Sequence, residues 1–439
     1  MANVSTPQSH HTDMQTPAGH SPLAPAEIAV GVTIGRASEH FDFFVFGIAC
    51  VLVFPGVFFP FTDRLDGTLY SFAIFAMAFV SRPFGTALFM AIQRHWGRSV
   101  KLSSSLFLLG TATAGIAFLP GYETLGGWSI FLLALFRTLQ GIALGGSWDG
   151  LPSLLALNAP KAKRNWYTMF GQLGAPMGFL LANLLFFYLV SAVSAEDFQA
   201  WAWRYPFFVA FAINVVALFA RLRLVLTEEY TLALEESALN PVSTQELLDK
   251  QGPHIFLGAF AALSSYALFH IVTIFPLSWI SINASQEIHR VLYIQIFGAV
   301  VGFVATLASG LIANRIGKRN TVGLMAVLIG VFAILSPLLM SGSPALQNTF
   351  ILLGFALLGV SYGQSAGTVT AKLERRYRYA GAALTSDFAW LFGAAFAPLI
   401  ALGVSVHFGL AAVSLYLLSG TICTLLALRI SRSLEGQAQ

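Results

Sequence analysis

Residues 321–340 read TVGLMAVLIGVFAILSPLLM, twenty residues without one charge. The hydrocarbon core of a bilayer takes ~20 apolar residues of helix, so this run reads as a membrane span. Arg315, Lys318 and Arg319 stand immediately before it. Working outward in windows of the same length gives twelve spans: 28–54, 68–92, 102–119, 128–157, 166–193, 205–224, 254–281, 291–313, 321–340, 348–369, 380–404 and 409–429. Composition agrees: 56% of residues are hydrophobic and 10% charged, where a water-facing surface needs about 25% charge. The 39 Phe suit lipid-facing positions and the 39 Gly let helices approach closely. The expected fold is an all-α integral membrane protein of twelve transmembrane helices in two six-helix pseudo-repeats.

Loop charge gives the orientation. Eighteen of the 24 Lys and Arg fall in alternate connections. Among them are Arg94, Arg98, Lys101, Lys161, Lys163, Arg164, Arg315, Lys318, Arg319, Arg375, Arg376 and Arg378. The other side holds Arg64, Arg204 and Arg290, and Arg36, Arg82 and Arg137 lie in or at the ends of spans. Lys and Arg concentrate on the cytoplasmic side. Both termini are therefore expected in the cytoplasm, with the chain multi-pass in the cell (inner) membrane. The same distribution explains the net charge of +4 without nucleic acid.

The stretch 225–253 is the one long polar connection and carries Glu228, Glu229, Glu235, Glu236, Glu246 and Asp249. The expected organisation is a disordered cytoplasmic tail over 1–26, a six-helix bundle over 27–224 and a cytoplasmic linker over 225–253. A second bundle over 254–430 and a tail over 431–439 follow. The halves resemble each other. QRHWGR at 93–98 and ANRIGK at 313–318 are offset by 220 residues, and Pro176 and Pro398 by 222. A parallel repeat of six plus six spans places a solute site between the halves near the midplane.

Several classes are excluded. The first 25 residues lack a basic start followed by an apolar core, so no cleaved signal peptide is read. His10, His11 and His20 read as part of a disordered tail, not as metal ligands. Cys50 and Cys423 sit inside apolar runs and make no disulfide framework. With no His-Glu-x-x-His, no nucleophile set and no phosphate loop, no enzyme, cofactor or metal is expected.

The polar residues inside the spans carry a resemblance. The first span reads GRASEHFDFFVFG (35–47), the fourth RTLQGIALGGSW (137–148) and the fifth QLGAP (172–176). WRYPF (203–207) precedes the sixth, and RYAGA (378–382) opens the eleventh. These resemble, in order, G-N-x-x-E-W-Y-D-F-x-x-Y-G, R-x-x-Q-G-x-x-x-G-G-E-W, Q-L-G-A-P, W-R-x-P-F and R-Y-x-G-A. Those motifs belong to the metabolite:proton symporter group of the major facilitator superfamily, which includes permeases for alpha-ketoglutarate, citrate, shikimate and proline/betaine. The resemblance implies the major facilitator fold, a small-molecule substrate and proton coupling. The expected reading is a secondary active transporter of an organic acid or zwitterion working by alternating access in the lipid bilayer, as a monomer. A proton-coupled exporter and a sensor without net transport are the alternatives.

A charge at membrane depth costs at least ~2.5–3.5 kcal/mol, so it faces a partner or a wet cavity. Glu39 and Asp42 are three residues apart on one helix face. An Asp whose contact with an Arg changes with conformation has a conformation-dependent proton affinity. Asp42 is the expected proton carrier and Arg137 its modulator. Glu39 either shares the proton or pairs with Arg36, which stands where the family has Asn. By analogy with the family the cavity is expected to be lined by Arg36, Gln140, Trp148, Asp149, Gln172, Tyr266, His270, Gln364 and Asp387.

The gate loops depart from the family. In G-x-x-x-D-R-x-G-R-R, Arg94 and Asn314 fill the Asp slot of the two halves, while Gly97, Arg98, Arg315, Gly317 and Lys318 remain. Leu157 and Ala371 fill two further Glu slots. A cytoplasmic gate held by other groups is expected, with the 225–253 segment, Glu374 and Glu435 as candidates. Relaxed constraint in a divergent chain is the alternative.

Overall fold

The computed structural model describes residues 25–148, 150–225, 240–283, 286–366 and 373–437. The described residues form helices and short connections, without a strand. Among the described residues, ten helices are long and apolar enough to cross a membrane. One of them, Arg64–Phe118, is 55 residues long, twice the reach of a span, and breaks at Gly97 (φ 84°, ψ 172°) into the second and third spans. The helix Pro25–Leu52, 28 residues long and carrying Arg36, Glu39 and Asp42, is a further crossing. This gives twelve spans.

The fourth span is Gly127–Gly146, extended by the short helix Leu151–Asn158. The fifth is Phe170–Ala192 and the sixth Tyr205–Val225. The seventh is built from three pieces, Thr244–Ala261, Leu263–Thr273 and Phe275–Asn283. Its helix starts at Thr244, so the last ten residues of the polar 225–253 connection are wound into it. The eighth, ninth and tenth spans are Ile288–Ile316, Lys318–Ser341 and Pro344–Gly363. The eleventh runs from Arg378–Ala389 through a π-helical turn, Trp390–Ala394, to Ala397–Phe408. The twelfth, Leu410–Gln437, runs on through most of the 431–439 segment.

The two halves repeat in their backbone. Gly317, between the eighth and ninth spans, has φ 85° and ψ 147°, the counterpart of Gly97. A positive φ of this kind strains a residue with a Cβ, so Gly holds both turns. Close packing repeats as well. A Cβ on Gly141 would meet the backbone of Ala78, and one on Gly145 that of Arg82 and Thr86, so the fourth span lies backbone-close on the second. In the other half, a Cβ on Gly359 would meet the backbone of Gly302 and Thr306, pressing the tenth span on the eighth. Gly174 and Gly178 set the fifth span against the first, and Gly393 sets the eleventh against the seventh. In lipid, helices associate largely through such close packing.

The helix ends carrying Arg94, Arg98, Arg164, Lys318 and Arg378 gather at one end, here the basic end. Buried residues of both halves meet there, including Ile28, Leu102, Leu151, Val242, Tyr377 and Tyr379. At the opposite end Arg64 Nη2 donates to Ser281 Oγ at 2.5 Å, again across the halves. The larger core, rich in Phe from the first span, fills the middle and this opposite end.

Gly145→Leu is expected to force the second and fourth spans apart and lower stability by about 1–3 kcal/mol. Thermal unfolding of the purified protein in detergent reads this as a lowered midpoint; an unchanged midpoint contradicts the packing described.

Candidate functional site

Between the halves lies a cavity of about 710 Å³, reaching from mid-membrane to the basic end. The first span contributes Arg36, Glu39, His40 and Phe43, and the second Phe79 and Arg82. Tyr266, Tyr362, Ser386 and Trp390 line it from the second half, and Arg164, Lys318, Arg319 and Arg378 surround the basic end. Arg36 Nη1 bonds Glu39 Oε2 at 2.7 Å, and its guanidinium lies 5.3 Å from the centre of the Trp148 ring. Gln172 and Tyr266 face the same space.

Asp42 sits behind the cavity wall, 3% exposed, inside the first bundle. Its Oδ2 accepts from Thr113 Oγ1 at 2.7 Å and Asn214 Nδ2 at 2.8 Å. Its Oδ1 accepts from Gln140 Nε2 at 3.1 Å. Ser38 in turn donates to Asn214 Oδ1 at 3.0 Å. Arg137 does not touch the carboxylate. Its Nη1 donates to Gln140 Oε1 at 3.0 Å and its Nε to the Phe75 carbonyl at 3.3 Å. The guanidinium is packed 4.2 Å from the centre of the Phe46 ring and 4.9 Å from that of Phe75. The sequence suggests a direct Asp42–Arg137 contact; the structure inserts Gln140, one helical turn from Arg137, as a bridge between them.

Asp387 in the eleventh span has two partners on the second span. Arg82 Nε lies 2.7 Å from Oδ1, and Thr86 Oγ1 donates to Oδ2 at 2.5 Å. His270 lies outside the cavity lining: its ring stacks on Phe43 with centroids 5.3 Å apart, and Nδ1 is 3.3 Å from Thr273 Oγ1. A packed His is the physical alternative to a ligand contact, and the aromatic ring of Phe43 screens it. Gln364 lies nearer the basic end, where Nε2 donates to Ser309 Oγ at 3.1 Å and to the Asn165 carbonyl at 3.4 Å. Asp149 lies outside the described residues.

At the basic end neutral acceptors take part in joining the halves. Lys101, 1% exposed, donates to Gln93 Oε1 at 3.2 Å, to the Trp148 carbonyl and to Tyr379 Oη at 3.1 Å. The Tyr379 hydroxyl donates to Gln93 Oε1 at 3.0 Å. Arg94 Nη1 donates to the Val242 carbonyl at 2.7 Å, and Asn165 Nδ2 to the Ala313 carbonyl at 2.9 Å. Lys318 donates to the Ala366 carbonyl, while Asn314 is exposed. Of the acids considered for the gate, Glu374 accepts from Gln251 Nε2 at 3.0 Å. Glu246 pairs with Arg376 at 3.0 Å and accepts from Tyr377 Oη at 2.9 Å. These contacts of Glu374 and Glu246 stay within the second half. Leu157, Ala371 and Glu435 have side chains outside the described set.

A family described as Sugar (and other) transporter matches residues 28–238. The inner membrane metabolite transport protein YhjE of Escherichia coli is 36% identical over 419 residues, 94% of this chain and 95% of that protein. The chain belongs to the major facilitator superfamily. The shikimate transporter of E. coli is 30% identical over 410 residues, covering 90% of this chain and 91% of the relative. The solved proton:xylose symporter XylE shares the fold with a TM-score of 0.70 at 16% identity, covering 93% and 95% of the two chains. This transporter is thus a multi-pass membrane protein of twelve helices, related along nearly its whole length to metabolite transporters.

Sequence reasoning misses the partners. Arg82 is a charge within a span and signals a site by that alone, yet Asp387 is 305 residues away in sequence. Thr113 and Asn214 are ordinary polar residues in apolar runs, without a period or motif of their own. Lys101 reads as a loop cation, but the third span begins deep enough to bury it.

Removing one member of a buried pair costs about 3–5 kcal/mol, whereas replacing both with apolar groups is close to neutral. Arg82→Leu is therefore expected to lower the unfolding midpoint in detergent, and the Arg82→Leu, Asp387→Leu double variant to recover most of it. A double variant no more stable than the single one contradicts the cross-half pair.

Proposed function

We propose that this transporter moves a small carboxylate-bearing metabolite, an organic acid or zwitterion, across the inner membrane together with a proton, with its basic end in the cytoplasm. The supporting observation is the charge of the cavity. Arg36, Arg82, Arg164, Lys318, Arg319 and Arg378 line it, against Glu39 as the acid among the described lining residues. Glu39 is held by Arg36, and Asp387 stands behind Arg82. A cleft of one sign with low-dielectric walls concentrates the opposite charge. The relation to the shikimate transporter points the same way.

Asp42 is the proposed proton carrier, with Gln140 relaying the influence of Arg137. Thr113, Asn214 and Gln140 come from the third, sixth and fourth spans, so the number of donors on Asp42 depends on how the first span sits among them. A shift of the first span within its bundle, as the transporter changes state, changes that number and with it the proton affinity of the carboxylate. Glu39 and Arg36 hold each other at the cavity wall and serve the substrate instead. With the basic end in the cytoplasm the cavity faces inward, and Lys101, Tyr379, Arg94 and the Arg82–Asp387 pair, which tie the halves, are the contacts that part as that end widens.

Proteoliposomes test the coupling with a carboxylate chosen by thermal shift. A one-unit pH gradient is worth about tenfold accumulation. Asp42→Asn is expected to abolish gradient-driven accumulation while retaining solute counterflow; accumulation that still follows the pH gradient contradicts the role of Asp42.

A further inference from the structure

We infer that His40 is a specificity-determining residue that selects substrates bearing a hydroxyl group beside the carboxylate; the carboxylate half of this statement rests on the proposed function. His40 stands where the resembling motif has Trp, and it lines the cavity while 8% exposed. Its Nδ1 is 2.7 Å from the Arg36 carbonyl oxygen. A carbonyl only accepts, so Nδ1 carries the proton and, in the neutral ring, Nε2 presents a lone pair. The ring is held in that orientation by Phe44, Phe269 and Trp390, whose centroids lie 6.4, 6.3 and 5.9 Å away.

The lone pair points to the other half. Tyr362 Oη lies 3.5 Å from Nε2, beyond the usual ~2.7–3.2 Å of a well-made bond. Both residues face the cavity. A hydroxyl seated beside them can donate to Nε2 and accept from the Tyr362 phenol with normal distances to each. It would then bind the first span and the tenth at once, so occupancy would draw the halves together. A carboxylate cannot do this, having no proton to give to Nε2, and an alkyl group leaves both polar atoms unanswered.

The spacing sets the ligand's size. Arg36 and His40 are four residues apart on one helical face, where neighbouring side chains start about 5–6 Å apart. A carboxylate at the Arg36 guanidinium and a hydroxyl at His40 therefore fit the two ends of a small hydroxy acid. The aromatic walls, Phe43, Phe79, Tyr266 and Trp390, suit the apolar face of a ring or short chain.

The test is titration of the purified full-length protein in detergent with three probes: shikimate, with carboxylate and hydroxyls; cyclohexanecarboxylate, with carboxylate alone; and myo-inositol, with hydroxyls alone. The wild type, His40→Phe and His40→Gln are compared, since Gln keeps an acceptor oxygen. The expected result is about tenfold tighter binding of shikimate than of cyclohexanecarboxylate in the wild type. That preference is erased in His40→Phe, with cyclohexanecarboxylate binding unchanged, and partly kept in His40→Gln. Equal binding of the two acids by the wild type, or a preference that survives His40→Phe, overturns the inference and leaves the carboxylate reading standing. Should His40→Phe not fold, loss of the whole preference in a folded His40→Gln overturns the acceptor role. Binding of inositol alone, lost in His40→Phe, overturns the carboxylate reading and keeps His40. Binding of none of the three overturns both.

Discussion

A charge inside a membrane must find a partner, and most of the architecture here follows from how each one does. Arg36 holds Glu39, and Arg82 holds Asp387. Asp42 is satisfied by three neutral donors. Arg137 rests on Gln140, a backbone carbonyl and the faces of three Phe rings. Lys101 is gathered in by Gln93, Tyr379 and the Trp148 carbonyl. In hydrocarbon an unanswered charge is costly enough to displace a helix, so these partners fix the register of the first, second, third, fourth and sixth spans on each other and on the eleventh.

The proposed function assigns two tasks to separate places. Arg36, Glu39, His40 and Arg82 face the cavity. Asp42, the residue before Phe43, lies on the far side of the wall, inside the first bundle. Gln140 is the joint between its carboxylate and Arg137. A neutral amide transmits a hydrogen-bond geometry but does not quench either charge, so a small shift of the first span changes what Asp42 experiences without tearing an ion pair apart. The wall between the two tasks is aromatic, with Phe43, Phe75, Phe79 and His270 within 6 Å of one another in stacked, tilted and edge-on pairs.

The fold is legible in the sequence because a bilayer admits few solutions. Apolar run length gives the spans, and the QRHWGR and ANRIGK loops give the repeat that Gly97 and Gly317 display in their matching backbone angles. Gly141 and Gly145 read as packing residues and are that. The long helix through Gly97 and the broken seventh and eleventh spans are not visible, since hydropathy is blind to local winding. At the site, charges in spans are conspicuous and their partners are not. Asp42 stands out; Asn214 and Thr113, which bond it, come from 172 and 71 residues away and carry no charge to betray them. His270 attracts attention because ionisable groups are scarce, while His40, embedded in the most informative motif, is the histidine that faces the cavity.

In the proposed function a carboxylate and a proton cross together. The most direct test follows external pH with an impermeant dye while a carboxylate that binds the protein is added to wild-type proteoliposomes in weak buffer. Cotransport predicts that the outside medium turns alkaline with the same saturation curve as solute uptake. Saturable uptake of the acid with no accompanying proton movement would contradict it.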